Sequence, residues 1–109
     1  METEHRVVVG DARSMTALDD DAVELVVTSP PYPLIEMWDD TFADLDPAIG
    51  DALDAGDGDR AFELMHDVLD EVWAEVARVL APGGIVCVNV GDATRSVDGE
   101  FRLFPNHAE

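Results

Sequence analysis

The sequence predicts an α/β fold, and its apolar pattern supports that prediction in two ways. Three short runs of mostly β-branched residues end near positions 9, 28 and 90, and each is followed by glycine or proline. A longer segment that starts at Ala61 carries apolar residues at three- and four-residue steps, the period of an amphipathic helix. When strands and helices alternate along a chain, the strands are parallel and the helices pack on the sheet. We therefore expect an incomplete sheet of about three parallel strands with one long helix.

The first two predicted strands lie near the start of the chain. Arg6–Val9 is a β-branched run that Gly10 and Asp11 close with a turn, as expected for a buried strand. Glu24–Thr28 is a second apolar run that leads directly into the tetrapeptide Ser-Pro-Pro-Tyr. Because proline lacks a backbone donor, the second strand is expected to end there.

The rest of the chain is predicted to be a loop, a helix and a strand. Residues 33 to 59 are expected to form a long loop, in which residues 47 to 55 have the length for one or two helical turns. The helix follows, with Asp59 as its candidate N-cap and Trp73 in its core-facing pattern, and it ends at a Pro-Gly-Gly turn. Ile85–Val90 is the third predicted strand.

Charge distinguishes this sequence from an average domain. Its 109 residues include 25 acidic and six basic ones, for a formal charge of -19 at pH 7, yet 47% are hydrophobic. That hydrophobic share is too high for a disordered acidic tail, so we expect one small folded domain with an acidic surface. Repulsion opposes compaction unless salt screens it, and at about 1 M salt the screening length falls to about 3 Å. A halophilic host is the simplest explanation, and an acidic domain that binds a basic partner is the alternative.

Membrane, disulfide and metal functions are not expected. No stretch approaches the roughly 20 apolar residues that span a bilayer, and no secretory signal is visible, so we expect a cytoplasmic protein. Cys87 is the single cysteine, which excludes an internal disulfide, and its apolar neighbours predict that it is buried. None of the three histidines stands at a metal-ligand spacing with Cys87, so no metal site is predicted.

The Ser-Pro-Pro-Tyr segment is the candidate for chemistry. In open α/β sheets, ligands bind beyond the carboxyl ends of the strands, where Asp11, Ser29 and Asp92 are expected to line one edge. Two consecutive prolines stiffen the segment and leave its carbonyls pointing outward. The Ser29 hydroxyl and the Pro30 carbonyl would each accept a hydrogen bond from an exocyclic amino group, and Tyr32 would stack on the base. A base within a duplex would have to be flipped out to reach them.

These residues also carry a resemblance to a known family. Four segments occur in order and span nearly the whole chain: residues 9 to 12, 27 to 32, 78 to 84 and 88 to 92. Their order resembles that of the DNA amino-methyltransferases that use S-adenosylmethionine, in the permuted group where the catalytic loop precedes the cofactor loop. In that family the Ser form of the tetrapeptide is commoner among cytosine-modifying members than the Asp form, and adenine modification stays open.

The resemblance implies a fold, a reaction and a set of site residues. It implies part of a Rossmann-like methyltransferase sheet and the transfer of a methyl group from S-adenosylmethionine to N4 of cytosine or N6 of adenine in DNA, as in restriction-modification. Ser29, Pro30, Pro31 and Tyr32 correspond to the catalytic loop, and Asp11 corresponds to the acidic residue that contacts the adenosyl part of the cofactor.

One family motif does not occur in the chain. The methionine-binding loop of the family, Phe-x-Gly-x-Gly after a strand, is missing, and Gly56 to Gly58 cannot replace it because they follow a polar stretch. No target-recognition region is visible either, and Pro105 stands where a further helix would open. We therefore expect residues 1–109 to be the amino-terminal, catalytic-motif portion of a DNA methylase domain, inactive without a carboxyl-terminal half.

Two other interpretations stay open on the sequence alone. In the first, the chain is a non-catalytic acidic fragment, or a half-enzyme that needs a partner chain. In the second, it is a methyltransferase that acts on an amine of RNA or protein. The related tetrapeptide of RNA and protein enzymes begins more often with Asn than with Ser. The main objection to DNA binding is the small number of basic residues, because affinity for phosphates normally rests on Lys and Arg.

Overall fold

The computed structural model describes all residues from 1 to 109. Four strands are present: β1 (Val23–Thr28), β2 (Leu80–Val88), β3 (Ala93–Val97) and β4 (Glu100–Phe104). Three α-helices lie between β1 and β2: α1 (Asp39–Leu45), α2 (Pro47–Asp54) and α3 (Gly58–Val79). Short 3-10 turns occur at Glu36–Trp38 and Asn106–Ala108.

β1 and β2 form a two-stranded parallel sheet, as the α/β prediction requires. Leu25 pairs with Ile85 and Thr28 pairs with Val88, with an irregularity between Val23 and Leu25. The predicted mixture of helices and parallel strands is thus correct. The predicted numbers are wrong, because the structure has two parallel strands and three α-helices instead of three strands and one helix.

The first predicted strand does not form. Residues 1 to 9 have no regular secondary structure, and Val9 is 98% exposed. A β-branched run becomes a strand only when a neighbouring strand supplies hydrogen-bond partners and covers its side chains. No such neighbour pairs with Arg6–Val9, so its composition alone does not determine its structure.

The predicted long loop is mostly helical over residues 36 to 54: α2 confirms the one or two turns allowed for residues 47 to 55, but α1 was not predicted. Asp46 caps α2 by accepting a hydrogen bond from the Ala48 amide at 3.0 Å, and Pro47 occupies the first turn. Phe42 on α1 and Ile49 on α2 are fully buried. These two apolar anchors, rather than a long periodic pattern, fix the short helices on α3.

The start of α3 differs from the prediction by two residues. Asp57, not Asp59, is the N-cap, and its side chain accepts a hydrogen bond from the Arg60 amide at 3.0 Å. Asp59 lies in the first turn and forms an ion pair with Arg102 at 2.7 Å. The helix ends at Val79, next to the predicted stop after Leu80, but Pro82–Gly84 lies inside β2 and not in a turn, so the third predicted strand, Ile85–Val90, in fact runs from Leu80 to Val88.

β3 and β4 form an antiparallel hairpin that the sequence analysis did not predict. Asp98 and Gly99 join the strands with φ of 52° and 77°, the positive values that a two-residue hairpin turn requires. The hairpin packs on the helices through Ala93 and Phe104, which are both buried.

The main apolar core lies between the helices and the hairpin, and the parallel sheet is outside it. The core contains residues of α1, α2, α3, β3 and β4 together with Leu34, and Trp73 packs against it as predicted. By contrast, Leu25 is 56% exposed and Val27 is 73% exposed on β1. Cys87 on β2 is exposed too, which corrects the prediction that it is buried.

None of the helices, including the 22-residue α3, combines the length and the hydrophobicity that crossing a membrane requires. Nowhere do three or more His, Cys, Asp or Glu side chains converge in an arrangement suited to a metal ion.

Candidate active site

The carboxyl ends of β1 and β2 meet at one edge of the parallel sheet. The Asn89 amide continues the pairing by donating to the Thr28 carbonyl at 2.9 Å. The segment that follows β1 therefore lies beside the segment that follows β2, as the sequence analysis expected for Ser29 and Asp92. Asp11, the third residue expected at this edge, follows no strand.

The Ser29 hydroxyl and the Pro30 carbonyl are the two acceptors that the tetrapeptide offers. Ser29 is exposed and Pro30 is half-buried. No hydrogen bond in the structure occupies the Ser29 hydroxyl or the Pro30 carbonyl. Pro31 is half-buried behind them. The two acceptors proposed from the sequence therefore have no hydrogen-bond partner within the chain, on a segment whose backbone the prolines restrict.

Tyr32 lies against the end of β2. Its hydroxyl donates to the Asn89 carbonyl at 3.1 Å. A Cβ atom on Gly91 would stand only 3.2 Å from the ring, so a larger residue there would push the ring away by a few tenths of an ångström. The phenol is half-buried, with one side covered by this backbone. Tyr32 is thus a fixed, partly accessible ring next to the two acceptors.

A tight turn follows Tyr32. The Ile35 amide donates to the Tyr32 carbonyl at 3.2 Å, and Leu34 between them has a φ of 64°. Glycine is the usual residue at a turn position with positive φ, and another residue there costs about 1 to 3 kcal/mol. Burial of Leu34, which is 1% exposed, and a contact of its amide with the Met65 sulfur at 3.3 Å offset that cost.

Asp92 pairs with His107 on the other side of this edge. The carboxylate accepts from the His107 ring at 2.6 Å and from the His107 amide at 3.2 Å. These hydrogen bonds hold the pKa of Asp92 below its ordinary value. The contact fixes the last residues of the chain against the segment that follows β2.

Asp11 lies apart from the tetrapeptide and next to α3. Both of its carboxylate oxygens accept hydrogen bonds from Arg13, the shortest at 2.8 Å. These bonds lower the pKa of Asp11, so it is a carboxylate at neutral pH. It lines an open cavity of about 430 Å³ with apolar residues such as Val8 and Met15, and no residue of the tetrapeptide lines that cavity.

The segment that carries Asp11 is attached to α3 by Glu75 and Arg78. Glu75 accepts from the Met15 amide at 2.6 Å and from Arg78 at 2.7 Å. Arg78 also donates to the carbonyls of Met15 and Leu18, each at 3.0 Å. The hydrogen bonds from Arg78 and Met15 lower the pKa of Glu75 to about 2.

The residues that hold the tetrapeptide in place could not be predicted from the sequence. Asn106 is the main one: it is buried and donates to the carbonyls of Pro33 and Gly91. No motif in the sequence marks Asn106, because its partners are backbone groups 15 and 73 positions away.

Comparisons with known proteins place these residues in a family context. A family model described as DNA methylase, of the N6 and N4 type, matches residues 23–103. The solved structure of a protein from Thermus thermophilus, described as a putative DNA modification methylase, is similar with a TM-score of 0.64 and 38% identity. That similarity covers 96% of this chain and 36% of the other chain.

Three curated proteins show similarity over most of the chain. The type II methyltransferase M.MthZI of Methanothermobacter thermautotrophicus is 50% identical over 98% of this chain, and M.MjaI of Methanocaldococcus jannaschii is 48% identical over 98%. This chain spans 30% and 39% of their respective lengths. A release factor glutamine methyltransferase of Caulobacter vibrioides is 36% identical over 80% of this chain and 29% of its own length.

We predict that Glu75→Gln destabilises the protein at neutral pH and that the effect vanishes in acid. The folded-state pKa of Glu75, about 2, lies below the ordinary value of 4.5. Its stabilisation is therefore present above about pH 4.5 and is lost as the pH falls towards 2. Thermal unfolding of both proteins at several pH values measures the difference.

Glu71→Gln on the same helix is the matched control for this prediction. The Glu71 carboxylate is 61% exposed and meets Arg13 only at 3.4 Å, so its loss is expected to change the melting temperature little at any pH. A Glu75→Gln effect of equal size at pH 2.5 and pH 7 would contradict the assigned hydrogen bonds.

Proposed function

This chain belongs to the N6/N4 DNA methylase family, and on that premise we propose that it contributes the amine-binding loop to a site-specific DNA methyltransferase. Methyltransferases of this family use S-adenosylmethionine as methyl donor. The observation that supports the proposal best is that the Ser29 hydroxyl and the Pro30 carbonyl have no hydrogen-bond partner and lie beside the Tyr32 ring, whose hydroxyl donates to Asn89.

We propose that the loop acts by orienting an amino group. The lone pair of an exocyclic amine is delocalised into its ring, which makes the nitrogen a weak nucleophile. Hydrogen bonds from the two N–H groups to the Ser29 hydroxyl and the Pro30 carbonyl would turn the lone pair out of that plane. Tyr32 would stack on the flipped base, and Pro31 would keep the loop in shape. When bound, S-adenosylmethionine would supply the methyl group: its S–CH3 bond would break as the N–C bond forms, S-adenosylhomocysteine would leave, and the nitrogen would release one proton to solvent.

The residues around Asp11 suit the adenosyl part of the cofactor. Asp11 is ionised and lines an open, largely apolar cavity, which offers acceptors for hydroxyl groups beside surface for a base. The Phe-x-Gly-x-Gly loop expected to bind the methionine part does not occur in these 109 residues. We therefore propose that Asp11 contributes to the cofactor site and that residues 1–109 do not complete it.

Cytosine N4 is the proposed target, and adenine N6 is the second candidate. The Ser form of the tetrapeptide supports cytosine through the family resemblance. The names of the two archaeal type II relatives support a role in restriction-modification, which we propose for this chain as well.

We also infer that β1 and β2 belong to a larger, Rossmann-like sheet. Both strands pair on one side only, and their apolar side chains Leu25, Val27 and Ile85 are more than half exposed. Further strands or helices would bury that surface, at about 25 cal/mol per Å² of apolar area.

The charge supports a high-salt environment as the setting for this activity. With a net charge of -19, the protein would repel DNA phosphates at low salt. We propose a halophilic host in whose cytoplasm, where the DNA lies, this repulsion is screened.

Protein or RNA amine methylation is the alternative activity. The similarity to a release factor glutamine methyltransferase favours it, although that relative is 36% identical where the type II methyltransferases are about 50% identical. Both reactions would use the same loop, because an amide nitrogen and an exocyclic amine are both conjugated.

A chimera tests the proposed activity directly. We would replace the aligned segment of M.MthZI with this chain and measure transfer of labelled methyl groups into DNA. We expect DNA methylation, with N4-methylcytosine released on digestion to nucleosides. Tyr32→Ala should lower the turnover by about tenfold or more, because base stacking contributes about 1 to 3 kcal/mol.

Tyr32→Phe is the control, since it keeps the ring and removes only the hydroxyl that donates to Asn89. Most of the activity should remain in that variant. Equal turnover of the Tyr32→Ala variant and the unmodified chimera would remove the role assigned to the ring. Label in protein or RNA but not in DNA would favour the alternative activity.

Calorimetry of the 109-residue chain tests whether the cofactor site is complete. We expect S-adenosylmethionine to bind more weakly than about 1 mM, because only the adenosyl side has candidate contacts. Binding at micromolar strength would show that these residues suffice and would contradict the proposed division of the site. It would also count against a non-catalytic acidic fragment.

Thermal unfolding in increasing KCl tests the high-salt proposal. The melting temperature should rise steeply below about 0.5 M, where the screening length changes most. Sucrose is the control, because it favours the compact state without screening charge. A melting temperature that is insensitive to KCl in this range would argue against a halophilic adaptation.

A further inference from the structure

We propose that Asn106 is the positioning residue of the tetrapeptide loop, and that its side-chain amide fixes the place of Tyr32. The inference rests on the proposed function for its catalytic meaning, but its geometry is independent of the reaction. Asn106 lies in the short turn after β4, near the end of the chain. It is the only polar residue among the buried residues of the protein, at 4% exposed.

Every polar atom of the Asn106 side chain has a partner. The amide nitrogen donates to the Pro33 carbonyl at 2.9 Å and to the Gly91 carbonyl at 3.1 Å. Because both N–H groups are used in this way, the amide oxygen is the acceptor for the His66 Nε2 at 3.0 Å. His66 in turn packs edge-on against Phe62, with ring centroids 4.5 Å apart, so its position on α3 is fixed.

The two carbonyls that Asn106 binds belong to two residues that adjoin Tyr32. Pro33 follows Tyr32 directly in the chain, and Gly91 provides the backbone on which the Tyr32 ring packs. One amide therefore connects the segment after β1 to the segment after β2. The Tyr32 hydroxyl completes this arrangement by donating to the Asn89 carbonyl.

The three hydrogen bonds of the Asn106 side chain require an uncharged amide at this position. Two carbonyl acceptors and one ring donor require a side chain with two N–H groups and an oxygen on a single planar group. An aspartate of the same shape would place a second acceptor against the two carbonyls. A serine would leave at least one carbonyl without a donor.

The loop must be rigid because the Ser29 hydroxyl and the Pro30 carbonyl orient the amino group only if they point in fixed directions. A base that stacks on Tyr32 brings its amino group to these acceptors only while the ring keeps its place. Displacement of a reacting group by about 1 Å costs on the order of 100-fold in rate. Asn106 touches neither acceptor nor base, so its effect is transmitted through Tyr32 and the turn at Pro33.

The single tyrosine of the chain gives a direct test. The 109-residue chain is labelled with 3-fluorotyrosine, which reports only position 32, and its ¹⁹F NMR spectrum is recorded with that of Asn106→Asp. Far-UV circular dichroism measures the helix content of each sample. We expect Asn106→Asp to keep the helices while its ¹⁹F resonance moves towards that of free fluorotyrosine.

Val79→Ala is the matched control. Val79 is 1% exposed at the end of α3 and lies outside the main core cluster that contains the hairpin. This substitution should lower the melting temperature and leave the ¹⁹F resonance unchanged. A wild-type resonance in folded Asn106→Asp would overturn the proposal.

Asn106→Ser covers the case in which the aspartate variant does not fold, because it introduces no charge. A displaced ¹⁹F resonance in a folded serine variant would support the proposal, and a wild-type resonance would overturn it. If both variants unfold where Val79→Ala is folded, Asn106 stabilises the whole chain rather than the loop, and the proposal is wrong.

The chimera with M.MthZI provides the functional readout. There Asn106→Ser should lower kcat by about tenfold or more and change KM for DNA little, because the loop and not the DNA surface is disturbed. Failure of the chimera to methylate DNA would contradict the proposed function but leave the ¹⁹F result standing. An unchanged resonance with an active chimera would contradict only the role of Asn106.

Discussion

The parallel pairing of β1 with β2 determines where the candidate site forms. The register that brings Thr28 opposite Val88 makes both strands end at the same level, and the Asn89 amide extends the pairing by one hydrogen bond. The tetrapeptide after β1 therefore has the segment after β2 as its neighbour. A register shift by a single residue would reverse the faces of the side chains and separate Tyr32 from the glycine backbone on which it packs.

The helices and the hairpin supply the stability that this two-stranded sheet lacks. A pair of strands alone is marginally stable in water. Here the buried apolar residues belong to the three helices, the hairpin and the turn at Leu34. The polar side chain of Asn106 joins that core to the sheet edge, through two carbonyls on one side and His66 on the other. The loop is thus fixed by a core located beside it rather than beneath the sheet.

The acidic surface and the proposed DNA substrate are compatible only where salt screens the charges or other basic residues contact the phosphates. Six basic residues carry the positive charge, and the side chains of Arg13, Arg78, Arg95 and Arg102 are paired with carboxylates. These ion pairs attach segments to one another: Arg95 with Asp39 joins the hairpin to α1, and Arg78 attaches the segment that carries Asp11. These four arginines therefore serve the fold, and contact with phosphates would depend on screening by salt or on other basic residues.

Local patterns were enough to predict β1, the long helix α3 and the part of β2 that starts at Ile85, because periodicity and proline restrict the backbone without help from distant residues. It did not determine whether Val7 to Val9 would pair, whether Cys87 would be buried, or that an Asp-Gly turn would close a hairpin. Those outcomes depend on which partner is in reach. The contacts of Asn106 with Pro33 and Gly91 arise only when the chain folds, since hydrogen bonds to backbone carbonyls across 15 and 73 positions leave no trace in residue spacing.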